Sequence, residues 1–234
     1  MYNVTPPPAP AKAPASPAHG HMTVGTTNHN LMPPPSGLTY HPGVVAEPTW
    51  LQLRHWLLQP GAAIPWERAA EGRRVAQWGF RYDYMLHAVD KQPVGPIPDI
   101  LVQLLATSKS VCSTTAAAPF TQCIINEYIT EDGIPWHTDD PAFGPEVLVF
   151  SFGATRTMSM RPLRACNDDS GRNCCFSFTP AHCSLFYLRG EAREEWQHCI
   201  RSGGTGLRYS FTFRTLRQEE SGGDGGDGGC SPKI

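Results

Sequence analysis

Two side chains with metal-binding chemistry stand close together in the segment 133–141. His137 and Asp139 are separated by one residue, and they follow a stretch whose composition favours a β-strand. Side chains at positions i and i+2 of an extended chain point to the same side, so an imidazole nitrogen and a carboxylate oxygen can reach a single ion. Two ligands do not make a site, and a third ligand is therefore expected on a neighbouring strand.

Two later histidines are candidates for that third ligand. His198 lies at the start of a predicted strand, whereas His182 follows Pro180 in a sequence typical of a turn. We favour His198 and keep His182 as the alternative. Two histidines and one carboxylate, with other coordination positions left open, are the arrangement of non-haem Fe(II) oxygenases.

The segment 208–214 alternates between two kinds of side chain. Its aromatic face holds Tyr209, Phe211 and Phe213, and its polar face holds Arg208, Ser210, Thr212 and Arg214. If the aromatic face packs against helices, the arginines point into the interior, where a buried guanidinium needs an anion. Arg208 and Arg214 would then suit a small dicarboxylate, with one arginine near each end. The alternative is an outer face on which both arginines are simply hydrated.

A second short segment offers polar groups for the same small anion. Asn126 and Tyr128 are two positions apart in a β-rich stretch, so their side chains share a face. An amide and a phenol can both donate hydrogen bonds to a carboxylate. Either residue also occurs in ordinary strands, and the pair gains meaning only beside the arginines.

Arginines and aromatic residues are interleaved in the segment 73–84. This pattern is compatible with a hairpin that has one packed face and one hydrated face. It is equally compatible with a loop that stacks on nucleic-acid bases and holds phosphates. The residues alone leave both interpretations open.

The elements that must position these residues fall into two groups along the chain. Apolar residues at helical spacing predict a helix over 49–59 and a second helix that begins at Pro98. Short strands separated by turns are predicted at 121–129, 146–152, 157–161, 175–179, 184–188, 198–200 and 209–213. Helices followed by many strands predict an α+β fold whose second part is a two-sheet roll or barrel.

The ends of the chain differ in composition from its middle. Residues 1–46 are rich in Pro, Ala, Thr and His and contain one charged side chain, Lys12, while residues 218–234 are rich in Gly. Such segments bury too little apolar surface to offset the entropy lost on ordering. We therefore predict disordered termini, 1–46 and 218–234, around one domain, 47–217.

Composition restricts the class of protein further. The chain has 234 residues, 40% of them hydrophobic, and a net charge of −2, which excludes a strongly basic surface but not a local basic patch. We find no signal-peptide core after Met1 and no apolar run long enough to span a membrane. We expect an intracellular monomer of the nucleus or cytoplasm, without a secretion signal, whose thiols are reduced.

The cysteines offer one further metal-binding possibility. Cys166, Cys174, Cys175 and Cys183 are spaced so that they could hold zinc, but none of the eight cysteines forms a Cys-x-x-Cys motif. The other interpretation is a set of thiols on a hairpin or loop.

Taken in order, these motifs resemble the AlkB-type family of Fe(II)/2-oxoglutarate dioxygenases. The order is Asn-x-Tyr at 126–128, His-x-Asp at 137–139, the histidine at 198 and Arg-x-Ser-x-Thr-x-Arg at 208–214. Two further segments are similar to those of the same family. They are Ser-Phe-Gly-Ala-Thr-Arg-Thr-Met at 151–158 and Trp-Gln-His at 196–198. The resemblance covers roughly residues 73–217, and the ordered set is far more specific than any one motif.

The resemblance implies a fold, a cofactor and two co-substrates. The fold would be a double-stranded β-helix, or jelly roll, with the N-terminal helices packed on one sheet. His137, Asp139 and His198 would hold Fe(II), and 2-oxoglutarate and O₂ would be the co-substrates. The residues implied to bind 2-oxoglutarate are Asn126, Tyr128, Arg208, Ser210 and Arg214.

Within that set the implied roles differ. Arg208, helped by Tyr128, would bind the distal carboxylate of 2-oxoglutarate. Arg214 would lie near the proximal end with Asn126. The family usually has Asn where this chain has Ser210, and a hydroxyl donates one hydrogen bond fewer than an amide.

The resemblance also implies a nucleic-acid substrate, in the form of single-stranded DNA, RNA or tRNA. The segment 73–84 would be a nucleotide-recognition lid, and Arg68, Arg73, Arg74 and Arg81 would supply the local positive charge that phosphate binding requires. The candidate substrate contacts are Arg73, Arg74, Trp78, Phe80, Tyr82, Trp136 and Asp140.

Three functions remain open at this point. The first is oxidative demethylation of N-alkylated bases, because the motifs at 151–158 and 196–198 are similar to those of alkylation-repair members. The second is hydroxylation of a modified wobble uridine in tRNA, because the amino-acid sequence of the lid resembles that of the family members that carry out this reaction. The third is a protein-directed oxygenase or a catalytically silent binding module, against which the complete set of metal and co-substrate residues argues.

Overall fold

The computed structural model of the chain describes residues 32–61, 64–69, 72–112, 120–129, 132–164 and 175–217. The predicted disordered termini lie outside this range, apart from residues 32–46. Cys166 and Cys174, two members of the considered zinc group, also lie outside it.

Twelve strands and three α-helices occur within the described residues. In chain order they are β1 (Leu38–His41), α1 (Glu47–Leu58), β2 (Glu67–Arg68), β3 (Arg74–Asp83), β4 (Ala88–Pro93), α2 (Asp99–Ala106), β5 (Gln122–Tyr128), β6 (Ile134–His137), β7 (Phe143–Gly153), β8 (Met158–Pro162), β9 (Phe176–Phe178), β10 (Ser184–Leu188), α3 (Glu191–Glu194), β11 (Trp196–Ile200) and β12 (Arg208–Leu216). A 3₁₀-helix, Thr107–Ser110, continues α2.

Most of the strands form one large antiparallel sheet. Its order is β1-β10-β7-β12-β5-β3-β2, and β4 pairs with β3 as the second arm of a hairpin. Strand β12 lies between β7 and β5, with Arg208 opposite both Gly153 and Tyr128. The polar faces of β5 and β12, distant in sequence, therefore lie side by side.

Four strands form a smaller antiparallel sheet in the order β6-β11-β8-β9. In this sheet β6 and β11 are neighbours, and His137 is paired with His198 across them. Buried side chains from both sheets form one hydrophobic cluster, to which the large sheet contributes Val147, Val149 and Phe186 and the small sheet contributes Met158, Met160 and Trp196. The two sheets therefore face each other across a shared interior.

The other face of the large sheet forms a second cluster with the side chains of α1 and α2. Trp50 of α1 stacks on Phe152 of β7 with ring centroids 4.8 Å apart. Leu53 and Leu101 are fully buried in the same cluster. The aromatic face of β12, formed by Tyr209, Phe211 and Phe213, also belongs to it. Because side chains alternate along a strand, the arginines of β12 face the interior between the sheets.

One predicted boundary is wrong. Residues 38–41 were placed in a disordered arm, but they form β1, which pairs with β10 from Leu38 opposite Leu188 to His41 opposite Leu185. The strand is short and stands among prolines and glycines, so its own pattern is weak, and the ladder to β10 holds it in place. Elsewhere the predicted helices and strands lie within a few residues of the observed ones, and the segment 73–84 contributes the first arm of the β3–β4 hairpin.

No helix in the described part of the chain combines the length and the apolar character needed to cross a membrane.

Candidate metal centre and co-substrate site

Three side chains with metal-ligating atoms meet between the two sheets. His137 ends β6, Asp139 follows in the next loop, and His198 lies in β11. Their candidate ligand atoms all lie within 4.8 Å of one another. The two imidazole centroids are 4.2 Å apart, and His198 Nε2 is 3.9 Å from Asp139 Oδ2. The structure thus brings together the three residues predicted to hold a metal.

Both imidazoles of this triad are prepared to offer a neutral ring nitrogen. His137 Nδ1 lies 2.9 Å from the backbone oxygen of Pro135. A carbonyl only accepts, so Nδ1 carries the proton and Nε2 keeps its lone pair. Burial lowers the pKa of His137, and burial together with the neighbouring His137 lowers the pKa of His198 to about 3. Metals bind the neutral form of imidazole.

The carboxylate of Asp139 has one oxygen in an ion pair and one that is open. Oδ1 pairs with Arg214, the arginine that the resemblance places near the proximal end of 2-oxoglutarate. Burial alone would raise the pKa of Asp139, but the charge of Arg214 holds it well below its ordinary value. Within the described residues, Oδ2 is buried and has no hydrogen-bond partner. A buried, charged oxygen without a partner is costly, and a bound cation would remove that cost, so the donor set fits a divalent metal.

Arg208 is a buried cation that lines the same cavity as the triad. Its side chain is only 1% exposed. Nη2 donates to Ser151 Oγ at 3.1 Å, and the guanidinium carbon lies 4.6 Å from the ring centroid of Tyr128. Among the described residues, Nε and Nη1 have no acceptor. A buried guanidinium with unused donors requires an anion, and a carboxylate matches its geometry.

The predicted anion-binding residues of β5 and β12 are in mutual contact. Asn126 and Ser210 lie opposite each other across the ladder. Ser210 Oγ accepts a hydrogen bond from Asn126 Nδ2 at 3.3 Å and lies 3.3 Å from Tyr128 Oη. Asn126 Oδ1 also accepts a hydrogen bond from Arg73 Nε at 3.0 Å. Ser210 therefore holds the amide and the phenol together.

A cavity of about 460 Å³ opens beside the triad. The metal-ligating residues, Arg208 and Arg214 all line it, as do aromatic residues of the β3–β4 hairpin. Its volume falls within the range of about 300–1,000 Å³ that is usual for small-molecule sites. The cavity therefore has room for a co-substrate and for part of a substrate.

Four of the predicted substrate contacts line this cavity, namely Arg73, Tyr82, Trp136 and Asp140. Tyr82 packs edge-on against Tyr84 with centroids 5.2 Å apart. Asp140 Oδ1 accepts a hydrogen bond from the backbone N–H of Ala142 at 2.8 Å, so one of its oxygens closes a turn.

The other three predicted substrate contacts, Arg74, Trp78 and Phe80, do not line the cavity. Arg74 pairs with Glu127 at 2.9 Å, and Trp78 is buried against Trp56 of α1 with centroids 5.8 Å apart. Arg74 and Trp78 share the face of β3 that packs toward the helices, because residues at even spacing along a strand point to the same side. Their assignment as substrate contacts is therefore corrected.

The predicted basic cluster of the lid is largely neutralised by nearby acids. Arg81 lies 3.0 Å from Glu67, 3.5 Å from Asp83 and 3.8 Å from Asp90. Arg73 is only 3% exposed. Together with the pairing of Arg74, this reduces the accessible positive charge of the cluster. The fourth member, Arg68, is exposed and donates to the backbone oxygen of Gly72 at 3.0 Å.

Several residues at the cavity were not found from the sequence. Tyr84 and His87 come from the hairpin, and Gln197 from β11. Arg161 does not itself line the cavity but contacts two residues that do. Its guanidinium carbon lies 4.4 Å from the ring centroid of Trp136, and it donates to Gln197 Oε1 at 2.8 Å. Arg161 and Gln197 are paired across β8 and β11, which only the strand register reveals.

His182, the alternative third ligand, belongs to a different group of donors. Its candidate ligand atom lies within 4.8 Å of those of Glu47 and Cys183. Gly153 N–H donates to His182 Nδ1 at 2.8 Å, so the proton of the neutral ring is on Nε2, which faces Glu47 Oε2 at 3.1 Å. A metal would need the lone pair of Nε2, so this group is a hydrogen-bonded cluster that joins α1 to the start of β10.

Comparison with known proteins defines the class to which this fold and this site belong. Residues 44–214 match the model of the 2OG-Fe(II) oxygenase superfamily. The chain belongs to that superfamily, whose enzymes use Fe(II), 2-oxoglutarate and O₂. The sequence-based prediction of an Fe(II)/2-oxoglutarate-dependent dioxygenase is confirmed.

Within this superfamily, the chain is similar to enzymes of the AlkB type. The chain is 28% identical to alpha-ketoglutarate-dependent dioxygenase alkB homolog 3 of Rattus norvegicus, over 81% of this chain and 68% of the relative. It is 29% identical to tRNA (carboxymethyluridine(34)-5-O)-methyltransferase ALKBH8 of Macaca fascicularis, over 65% of this chain and 26% of the relative. The resemblance to AlkB-type enzymes that the motifs indicated is therefore confirmed.

A solved structure supports the fold. The 2OG-Fe(II) oxygenase-family oxidoreductase from Burkholderia pseudomallei aligns with a TM-score of 0.55 at 16% identity, over 78% of this chain and 89% of that chain. At this identity the likeness concerns the fold alone.

Proposed function

We propose that this dioxygenase removes alkyl groups oxidatively from N-alkylated bases in single-stranded DNA or RNA. The observation that carries the proposal is the aromatic lining of the cavity, Tyr82, Tyr84 and Trp136, beside the triad. Enzymes that act on a base take it out of the stack and hold it between aromatic side chains. The relationship to alkB homolog 3 supports the same class of reaction.

In this proposal the two facing sheets form a double-stranded β-helix with the iron between them. His137, Asp139 and His198 hold Fe(II), as the protonation of the imidazoles and the open Oδ2 of Asp139 favour. With 2-oxoglutarate and O₂, iron bound there would supply the oxidising power to convert a substrate C–H bond to C–OH, with one oxygen atom of O₂ going to the substrate and the other to the succinate formed together with CO₂. Arg214 keeps Asp139 ionised and fixes its Oδ1 oxygen, which leaves Oδ2 open.

The buried guanidinium of Arg208 binds the distal carboxylate of 2-oxoglutarate. Its unused Nε and Nη1 donors support this role, and Ser151 and the ring of Tyr128 hold the guanidinium in place. Asn126 and Ser210 complete the polar wall on the same side. In this arrangement Arg208 orients the co-substrate while the triad holds the iron.

On the substrate side, Tyr82 and Trp136 orient the base so that its alkyl carbon faces the metal centre. Hydroxylation of an N-methyl carbon yields a hemiaminal, which breaks down to formaldehyde and the free N–H of the base. Arg161, an exposed cation beside Trp136, would contact a phosphate of the strand. The paired arginines of the lid would not.

A second candidate is hydroxylation of a modified wobble uridine in tRNA. The observation that favours it is the match to ALKBH8, whose name describes a tRNA uridine-modifying enzyme. Hydroxylation of an ordinary carbon leaves a stable alcohol, so this reaction releases no formaldehyde.

Product analysis over three substrates tests both candidates. Purified protein with Fe(II), 2-oxoglutarate and ascorbate is incubated with methylated single-stranded DNA, methylated RNA and tRNA, and succinate and formaldehyde are measured. Formaldehyde with DNA or RNA supports dealkylation, whereas extra succinate with tRNA and no formaldehyde supports the second candidate. Succinate formation that no nucleic acid stimulates would contradict both.

A matched pair of tryptophans tests the role of the cavity wall. Trp136 and Trp66 are both half-buried, and each lies under an arginine, at 4.4 Å and 4.5 Å. Only Trp136 lines the cavity. Trp136→Leu should lower kcat/KM for the nucleic acid by about 10-fold, in line with about 1–3 kcal/mol for one base–aromatic contact. Trp66→Leu should leave kcat/KM unchanged, and equal losses would contradict the stacking role.

A further inference from the structure

The loop that carries Asp139 lies outside the regular ladders of both sheets. Residues 138–142 connect β6 to β7 and belong to no strand or helix. A local turn closes the loop, because Phe143 N–H donates to the backbone oxygen of Asp140 at 3.0 Å and Ala142 N–H donates to Asp140 Oδ1 at 2.8 Å. Neither bond involves the peptide oxygen of Asp139, the residue whose position matters to a metal.

A buried arginine from a distant part of the chain donates a hydrogen bond to that peptide oxygen. Arg193, in α3, is only 3% exposed. Its guanidinium donates to the backbone oxygens of Asp139 at 3.3 Å, Asp140 at 3.0 Å and Phe143 at 3.2 Å. A planar guanidinium with several fixed donors can bind three carbonyls at once, which the single ammonium of a lysine cannot do with the same geometry.

Arg193 also lies close in sequence to the strand that carries the third candidate metal ligand. Helix α3 leads directly into β11, the strand that carries His198. One side chain therefore joins the loop that bears the carboxylate to the segment that leads to the third imidazole. Burying a guanidinium costs desolvation free energy, and apolar side chains often fill such a space at least as stably.

We propose that Arg193 is a positioning residue that holds the peptide of Asp139 at the distance from His198 that a divalent metal requires. The inference rests on the proposed role of His137, Asp139 and His198 as the metal centre. Arg193 acts through the backbone and touches neither the metal nor the substrate. Residues that orient metal ligands typically change metal affinity by about 10–100-fold when they are replaced.

The chain offers a matched control in Arg217. Its Nε donates to the same Phe143 backbone oxygen at 2.9 Å, and its Nη2 pairs with Glu194 at 2.7 Å. Arg217 thus binds the far end of the same loop and the residue next to Arg193. Within the part of the chain that the structure describes, its side chain makes no hydrogen bond to the peptide of Asp139 or Asp140, and it is half-exposed, at 47%.

The experiment measures the dissociation constant of Mn(II), a redox-silent probe, by electron paramagnetic resonance of the free ion. The wild type is compared with Arg193→Gln, Arg193→Lys, Arg217→Gln and His137→Ala in the full chain, and the melting temperature without metal is recorded for each. Both Arg193 variants should bind Mn(II) at least about 10-fold more weakly than wild type, whereas Arg217→Gln should stay within about 3-fold. Arg193→Lys decides the matter if Arg193→Gln does not fold, because it keeps the charge.

The outcomes separate this inference from the proposed function. A folded Arg193→Lys protein that binds Mn(II) like the wild type would overturn the positioning role. Equal weakening in Arg217→Gln would also overturn it, because the effect would then come from general loosening of the loop. If His137→Ala bound Mn(II) as well as the wild type, the metal centre itself would be misassigned, and the inference would fail with it.

Discussion

Two groups of side chains in this protein look alike in composition and differ in what they can bind. His137, Asp139 and His198 form one group, and Glu47, His182 and Cys183 form the other; in each, the candidate ligand atoms lie within 4.8 Å of one another. The difference lies in the second nitrogen of the key imidazole. His137 Nδ1 faces a carbonyl, whereas His182 Nδ1 faces an N–H.

The partner of that second nitrogen decides the chemistry of the first. A carbonyl on Nδ1 leaves a lone pair on Nε2, which can bind a metal, while an N–H on Nδ1 leaves a proton on Nε2, which can only donate. Proximity of donors is therefore insufficient to identify a metal site. The backbone around each histidine must be considered as well.

The largest expected effect comes from removing a member of the first group, and the matching change in the second group should leave metal binding intact. His137→Ala, Asp139→Ala or His198→Ala should abolish Mn(II) binding and succinate formation, since two ligands remain. His182→Ala should bind Mn(II) like the wild type while its melting temperature falls. Loss of metal binding in a folded His182→Ala protein would break the comparison.

A smaller but still large effect is expected at Arg208, which shares the cavity with the first group only. Arg208→Ala should raise the KM for 2-oxoglutarate by about 100-fold, because a buried charge-assisted contact is worth about 2–5 kcal/mol. Its dissociation constant for Mn(II) should stay near that of the wild type. Steady-state kinetics and metal titration check the two halves of this expectation separately, and an unchanged KM would contradict the assignment of Arg208.

The protonation of the first group predicts a pH effect on the stability of the metal-free protein. The pKa of His198 is lowered to about 3 in the folded protein, while an unfolded histidine titrates at its ordinary value of 6.5. Above pH 6.5, the free energy of unfolding should be unaffected by this group. Below pH 6.5 it should fall as the pH drops, because the unfolded chain takes up a proton on His198 and the folded protein does not. One such group contributes about 1.4 kcal/mol per pH unit.

Urea unfolding of the metal-free protein between pH 7.5 and 5 checks this slope. The His198→Ala variant should show a shallower dependence than the wild type over the same range. The pKa of Asp139 is also lowered, but its contribution is lost only below the ordinary value of 3.8, outside this window. Identical slopes for the two proteins would show that His198 is not held neutral.

The smallest expected effect concerns two arginines, of which Arg161 is exposed and Arg81 is already paired with acidic side chains. Arg161→Gln should reduce the slope of log affinity against log salt for single-stranded nucleic acid by about 0.7, the value of one phosphate contact. Arg81→Gln should leave that slope unchanged, since Arg81 already pairs with Glu67, Asp83 and Asp90. Binding titrations at several salt concentrations distinguish the two variants, and equal slopes would remove Arg161 from phosphate contact.

The residues that were predictable from the sequence are those whose relationship is local or alternating. His137 and Asp139 share a side by strand geometry, and the arginines of β12 are separated from its aromatics by period two. His198 followed from its place at a strand start and from the order of the motifs. In each case the chain itself encodes the direction of the side chain.

The residues that were missed or misplaced depend on contacts between distant segments. Arg161 meets Gln197 through strand register, and Arg193 reaches the loop of Asp139 through the packing of α3. Arg74 and Trp78 were assigned to the substrate because composition cannot tell which face of β3 a residue occupies. The strand β1 escaped notice because its order comes from β10 rather than from its own residues.

The alternation of β12 has a consequence for how this protein tolerates insertions. Its odd-numbered residues Tyr209, Phe211 and Phe213 fill the cluster beneath the helices, and Arg208 and Arg214 line the cavity. Inserting or deleting one residue within the strand would exchange the two faces, sending arginines into the apolar cluster and phenylalanines into the cavity. Variants with one residue more or fewer in this strand should therefore fail to fold, so they cannot give rise to enzymes of altered specificity. Changes in the β3–β4 hairpin do not exchange these two faces, so substrate specificity can diverge gradually there.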